Sequence, residues 1–318
     1  MKSLFKSGLL ITGSLLTGTV AGIILQKYGD ISDSIGDWLR SVGLFHYAYS
    51  AVSPIQDAMQ PEVIPEQYQG QLHLFVLAGQ SNMSGLAELP ANQKIHPQIF
   101  TFGNDYHWQP AQEPIDSPIG QVDSVSLDPG AGFGPSLAFA KAMLADNPDL
   151  AIGLIPCANG GSTILHWQRD RSDQTLYGSC LKRIQAASTM GTVSGVLFFQ
   201  GEADALEPRS AAALQPTPDT WAASFTQFAT DLRLDLAQPT LPIVYAQIGP
   251  LAADPVRFPY WQTVQAQQAE VQLPHTAMIT TTDLSLQDGL HYDQISYEAI
   301  GERFATQIQS LAQSSKQP

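Results

Sequence analysis

Cysteine is scarce. Only Cys157 and Cys180 occur in 318 residues, too few for a disulfide framework or a Cys-based zinc site. Cys157 closes an apolar run, where a buried free thiol is the simpler expectation; pairing with Cys180 is the alternative if the chain is exported. Positive charge is scarce as well. Fifteen Lys and Arg stand against 29 Asp and Glu, a net charge of -14, and a field of that sign repels nucleic acid and anionic lipid surfaces. Several catalytic signatures are missing. There is no H-E-x-x-H and no P-loop lysine, and G-x-S-x-G fails because Met83 stands where its last glycine belongs. Gly130, Gly132 and Gly134 imitate the start of a dinucleotide fingerprint. No strand precedes them and Pro135 breaks the spacing, so they read as a loop entering a helix. No internal repeat is present, and neither a metal nor a cofactor is expected.

Lys2 and Lys6 precede a mostly apolar stretch, Gly8 to Gln26, with no charge until Lys27. Residues 1–28 therefore read as a signal peptide or an N-terminal membrane anchor. The run at 8–26 suits a membrane tether inserted N-inside, which leaves the rest of the chain extracytoplasmic, either anchored or secreted. Thr19-Val20-Ala21 is a passable cleavage site, but the apolar run continues to Leu25, which favours retention. Discounting residues 1–28 removes three lysines and no acid, leaving 12 basic against 29 acidic side chains. In the next stretch, residues 29–71, Ile35, Trp38, Leu39, Val42, Phe45 and Tyr49 recur at helical spacing. Without a basic face, that helix is expected to pack on protein and not on lipid. From Pro54 to Gln71 the chain is rich in Pro, Gln and Glu and reads as a tether.

Residues 72–318 read as one domain, within the size a single core supports. Short apolar runs at Leu72–Ala78, Leu150–Cys157, Val193–Gln200, Pro242–Ile248 and Thr276–Thr282 predict buried parallel strands. Helical patterns lie between them, at Pro135–Asp146, Tyr177–Met190, Thr220–Ala237 and Tyr260–Val271, and a last one at Gln294–Leu311. This alternation predicts an α/β fold, a three-layer α/β/α sandwich around a doubly wound, mainly parallel sheet that binds ligand at the carboxyl ends of its strands. An Ala/Pro-rich loop spans Ala203 to Pro218.

The chemistry-bearing residues fall at those strand ends. The first strand runs into Gly79-Gln80-Ser81-Asn82-Met83, which sets a serine hydroxyl at a strand-to-helix turn with unpaired amides. A helix-capping serine would look the same. Asp288-Gly289-Leu290-His291 spaces a carboxylate and an imidazole so that both can lie on one side of a tight turn. The carboxylate can then fix the tautomer that lets the imidazole take a proton from serine. A plain Asp-Gly turn with a surface histidine is the simpler alternative. Ala158-Asn159-Gly160-Gly161-Ser162 and Phe199-Gln200-Gly201-Glu202-Ala203-Asp204 close two further strands. Glycine amides and the Gln200 carboxamide are suitable donors to the oxyanion of a tetrahedral intermediate. Trp167 and Tyr292 are candidates for stacking on a sugar, although large aromatics are more often core.

Taken together, FVLAGQSNM (75–83), GFGPSLAFA (132–140), IGLIPCANGGSTI (152–164), FFQGEAD (198–204) and DGLHYD (288–293) resemble the sialate O-acetylesterase-like family. That family includes acetylxylan esterases of the SGNH hydrolase superfamily, and the resemblance runs from about Leu72 to the last helix. It implies a flavodoxin-like three-layer domain, metal-independent removal of O-acetyl groups from acetylated carbohydrate, and a triad with no separate acid strand. By position, Ser81 matches the nucleophile, Asp288 the orienting acid and His291 the general base. The Ser81 amide, Gly160 or Gly161, and Gln200 match the oxyanion hole, and Gln80, Asn82 and Glu202 are supporting positions. Where the broader fold carries an asparagine donor, this chain reads Gln-Gly-Glu; an ionised Glu202 can only accept, so it is expected to orient loops. Two alternatives remain: a catalytically silent surface carbohydrate-binding protein, and an esterase or acyltransferase for other acyl groups.

Overall fold

In the computed structural model, residues 64–207 and 218–314 are described. The segment read as a signal peptide or anchor (1–28), the helix expected beyond it, the expected tether up to residue 63 and residues 208–217 of the Ala/Pro-rich loop lie outside them. Seven strands, β1 (Leu72–Gly79), β2 (Ile99–Phe102), β3 (Trp108–Pro110), β4 (Ile152–Pro156), β5 (Gly191–Phe199), β6 (Ile243–Ala246) and β7 (Thr276–Ile279), make one sheet in the order β3-β2-β4-β1-β5-β6-β7. Every pairing is parallel except β2 with β3. The five apolar runs are β1, β4, β5, β6 and β7; β1, β4 and β6 are buried along nearly their whole length, as expected of parallel strands covered on both faces, while β7 at the sheet edge is mostly half-buried. β2 and β3 were not legible as such runs. They are four and three residues long, and β3 ends on Pro110 at the sheet edge, where a missing N–H is tolerated.

The helices are α1 (Ser81–Ser84), α2 (Ser136–Asp146), α3 (Leu176–Ala187), α4 (Trp221–Asp235), α5 (Trp261–Glu270) and α6 (Gln294–Ser314). Successive residues of a strand point to opposite faces, and the core divides accordingly. Leu72, Leu74, Val76 and Ala78 join the cluster of α3, α4 and α5 (Ile184, Phe225, Phe228, Val264). Phe75 and Leu77 join that of α2 and α6 (Phe139, Met143, Ile300, Phe304). The result is the three-layer α/β/α sandwich of the sequence reading. Among the described residues no helix is long and apolar enough to cross a membrane.

Two expectations are corrected. Residues 64–71, expected as part of a tether, pack on the domain: Ile64 is buried in the core and a 3₁₀ turn, Glu66–Tyr68, sets Tyr68 against Phe100. Cys157 is no free thiol; it is bonded to Cys180, with Cα atoms 5.5 Å apart. Cys157 directly follows β4, and Cys180 lies on the α3 face packed against the sheet. That packing brings together two residues that are 23 apart in the chain, a proximity the spacing alone did not reveal.

Candidate active site

The site lies at the carboxyl edge of the sheet. At the end of β1, Gly79 has φ 134° and any side chain there would run into the Phe199 carbonyl, so β1 and β5 close tightly and only glycine fits. The chain then turns at Gln80, whose amide donates to Phe199 O (2.8 Å), and Ser81 opens α1. As the first residue of a helix, Ser81 has an amide with no acceptor inside that helix.

Ser81 Oγ lies 3.0 Å from His291 Nε2, and His291 Nδ1 lies 2.7 Å from Asp288 Oδ2. Asp288 Oδ1 accepts from the amides of Leu290 (3.0 Å) and His291 (2.7 Å), and Gly289, at φ 90°, allows the turn. Burial raises the Asp288 carboxyl, but hydrogen bonds from the His291 ring and amide and the Leu290 amide outweigh it and hold the group at about 2. An ionised carboxylate only accepts, so Nδ1 carries the ring proton and Nε2 is the free base facing the serine hydroxyl. This is the arrangement that activates a serine nucleophile.

The loop after β4 comes to the same place. Asn159 N donates to Gly79 O (2.9 Å) and Ser162 Oγ to the same oxygen (3.3 Å), which fixes Gly160 and Gly161 beside the nucleophile turn. Gly160 is half-buried and packed against the Asp128 carboxylate; Gly161 is exposed with open space around it.

A family model described as carbohydrate esterase, sialic acid-specific acetylesterase, matches residues 71–310. The chain belongs to this family. A probable carbohydrate esterase of Arabidopsis thaliana is 28% identical over 264 residues, which is 76% of this chain and 90% of that one. A solved structure of the Arabidopsis protein, at 26% identity, superposes with a TM-score of 0.64 over 76% of this chain and 98% of its own. The fold is shared with NanS (16% identity, TM-score 0.59, 77% and 99% covered) and with a carbohydrate acetylesterase from Xanthomonas citri (20%, 0.56, 76% and 56%).

Other residues expected at this esterase site sit differently. Gln200 is fully buried beneath it. Its Nε2 donates to Ser162 O (2.9 Å), Asp204 Oδ2 (2.5 Å) and Gln80 Oε1 (3.3 Å), while its Oε1 accepts from Trp221. With both amide hydrogens committed, it is a brace between loops and not an oxyanion donor. Trp167 and Tyr292 are not sugar platforms. Trp167 is buried among Phe198 and Phe228 with Nε1 on Ser162 Oγ (3.1 Å); Tyr292 is 1% exposed, with its hydroxyl on Thr281 (2.7 Å).

The supporting positions do come together. Gln80 Oε1 accepts from the amides of Gly201 and Ala203, both at 3.3 Å. Asn82 Nδ2 donates to Glu202 Oε1 (2.6 Å) and Leu290 O (3.3 Å), and its Oδ1 accepts from Tyr297 OH (2.8 Å). Asn82 thus links the nucleophile turn to the residue before His291. Burial raises the Glu202 carboxyl, opposed by the hydrogen bond from Asn82.

Sequence reasoning missed Tyr297, whose helical position reads as core, and Asp116. Asp116 is fully buried and accepts from Ser84 Oγ (2.6 Å) in α1 and Ser126 Oγ (2.5 Å); Ser126 N in turn donates to Ala158 O (2.6 Å). It joins the nucleophile turn to the glycine loop. Burial pushes Asp116 up to about 6, against the hydrogen bonds of Ser126 and Ser84. No spacing signal marks either residue.

Proposed function

We propose that this carbohydrate esterase removes O-acetyl groups from glycan through an acetyl-serine intermediate, acting outside the cytoplasm, either anchored N-inside or secreted. The continuous path Ser81 Oγ, His291, Asp288 carries the reading. Ser81 attacks the acetyl carbonyl as Nε2 takes its proton. The amides of Ser81 and the Gly160–Gly161 loop hold the oxyanion, with each such donor worth roughly 10² to 10³ in rate. The imidazolium, held by Asp288, then protonates the departing sugar oxygen. Water attacks the acetyl-serine as His291 removes its proton, and His291 returns that proton to Ser81 Oγ as the acyl bond breaks and acetate leaves.

The Cys157–Cys180 bond supports the extracytoplasmic part, since disulfides persist in oxidising compartments. Recovery of the chain from its own cells with two free thiols would count against it. The decisive experiment compares acetate release from acetylated xylan and from a chromogenic acetyl ester by the native chain and by Ser81→Ala, both verified as folded. EDTA-insensitive release that falls by about 10⁴ or more in Ser81→Ala is the expected result. A folded native protein that releases acetate from neither would overturn the reading.

A further inference from the structure

A cavity of about 630 Å³ opens at the carboxyl ends of β6 and β7, within the roughly 300–1,000 Å³ range of small-molecule sites. Its position bears on the reaction. In the sheet, β4 and its glycine loop lie on one side of β1, while β5, β6 and β7 follow on the other. The carbonyl oxygen of a bound ester is drawn to the glycine side. Its alcohol must lie towards His291, which has to protonate it. The cavity lies next to the His291 turn: the amides of Ala252 and Ala253 both donate to Gly289 O (3.1 and 3.0 Å), which pins the cavity's 249–259 loop to the Asp288–His291 turn.

The lining has a definite chemistry. Pro250, Leu251 and Pro255 supply aliphatic surface, Gln262, Gln265 and Thr282 supply uncharged polar groups, and no lining residue is ionisable. Gln265 Nε2 donates to Ile248 O (2.8 Å) and Gly249 O (2.9 Å), which fixes that carboxamide and leaves its oxygen to accept. Pyranose rings present the complementary pair of surfaces, apolar C–H faces and a rim of hydroxyls that both donate and accept. A sugar carboxylate would lose hydration here without meeting a cation.

We propose that this cavity is a subsite for an unmodified neutral sugar ring of the same glycan whose acetylated residue is bound at Ser81, so that oligosaccharide is the preferred substrate over acetylated monosaccharide. The proposal rests on the acetylesterase reading. Gln262 and Thr282 are exposed, so the double variant Gln262→Ala/Thr282→Ala leaves the core intact. On an acetylated neutral oligosaccharide its kcat/KM should fall about tenfold through KM, the scale of lost uncharged hydrogen bonds, while the chromogenic acetyl ester stays within about twofold. In parallel, Ser81→Ala is titrated calorimetrically with unacetylated xylo-, manno- and gluco-oligosaccharides. Binding of at least one, weakened by the added Gln262→Ala/Thr282→Ala pair, is expected. Equal losses on both ester substrates, no loss on either, or no binding of all three sugars would overturn the subsite. Should the native protein cleave no acetyl ester, the acetylesterase reading fails alone, and the titration still decides whether the cavity binds sugar.

Discussion

Replacing Asp288 with asparagine separates the geometry of the acid–base turn from its charge. Asp288 uses Oδ1 for the amides of Leu290 and His291 and Oδ2 for His291 Nδ1. Asparagine keeps one carbonyl oxygen, which the two amides claim, so its NH₂ must face Nδ1. Nδ1 then accepts, the ring proton moves to Nε2, and the imidazole offers Ser81 an N–H in place of a lone pair. The imidazolium also loses its counter-charge. A loss in kcat of about 10³ to 10⁴ is expected, as for other triads, or about 4 to 5 kcal/mol. KM for a small chromogenic ester should hardly move. Stability changes separately. The carboxyl is held at about 2 against an ordinary 3.8, about 2 kcal/mol by linkage at neutral pH. Because the side chain is 47% exposed, screening reduces this to about 1 kcal/mol. For a depressed carboxyl that contribution is present above the unfolded value and is lost as pH falls from about 4 to about 2. Initial rates at saturating ester and thermal melts across that window check both halves. A kcat loss under about tenfold with the fold intact would refute the tautomer argument.

Tyr297→Phe leaves the buried Asn82 Oδ1 without its donor, at a cost of about 1 to 3 kcal/mol; kcat should fall with KM unchanged, and Asn82→Ala should fall further, measured on the chromogenic ester. Cys180→Ser opens a loop closed over a separation of 23 residues, so chemical denaturation should show a loss of about 3 kcal/mol. Burial pushes Glu113 up to about 8 against the amides of Ile115, Gly134 and Leu137 and the Lys141 charge. A raised carboxyl contributes fully below its unfolded value and loses that contribution as pH rises through about 8. Glu113→Gln should therefore gain in melting temperature relative to the native chain from about pH 5 to pH 9, and a constant difference would refute it.

The central strands and the polar clusters that end them were legible because burial on both faces leaves an unbroken apolar run, and because a nucleophile turn and an Asp-x-x-His turn are local features. What failed was non-local. Gln200 looked like a donor because it ends a strand, yet its amide is consumed by Ser162, Asp204 and Gln80, residues that only the fold brings near. Trp167 and Tyr292 have the chemistry of sugar platforms, but the layer each faces follows from helix packing. Asp116 and the Cys157–Cys180 bond join segments through space with no periodic mark in the chain. The edge strands β2 and β3 are too short to leave a pattern.

The two halves of the catalytic path sit near opposite ends of the chain's enzymatic part: the serine follows the first strand of the sheet, and its acid and base follow the last. During synthesis the serine emerges early and has no base until β7 joins the sheet edge and α6 packs against α2. On the serine mechanism proposed above, a nascent chain, or one truncated before the Asp288–His291 turn, carries the nucleophile without its base, and hydrolysis begins only once that turn has been delivered. On that mechanism, activity doubles as a report that the chain has been read through to its acid–base turn.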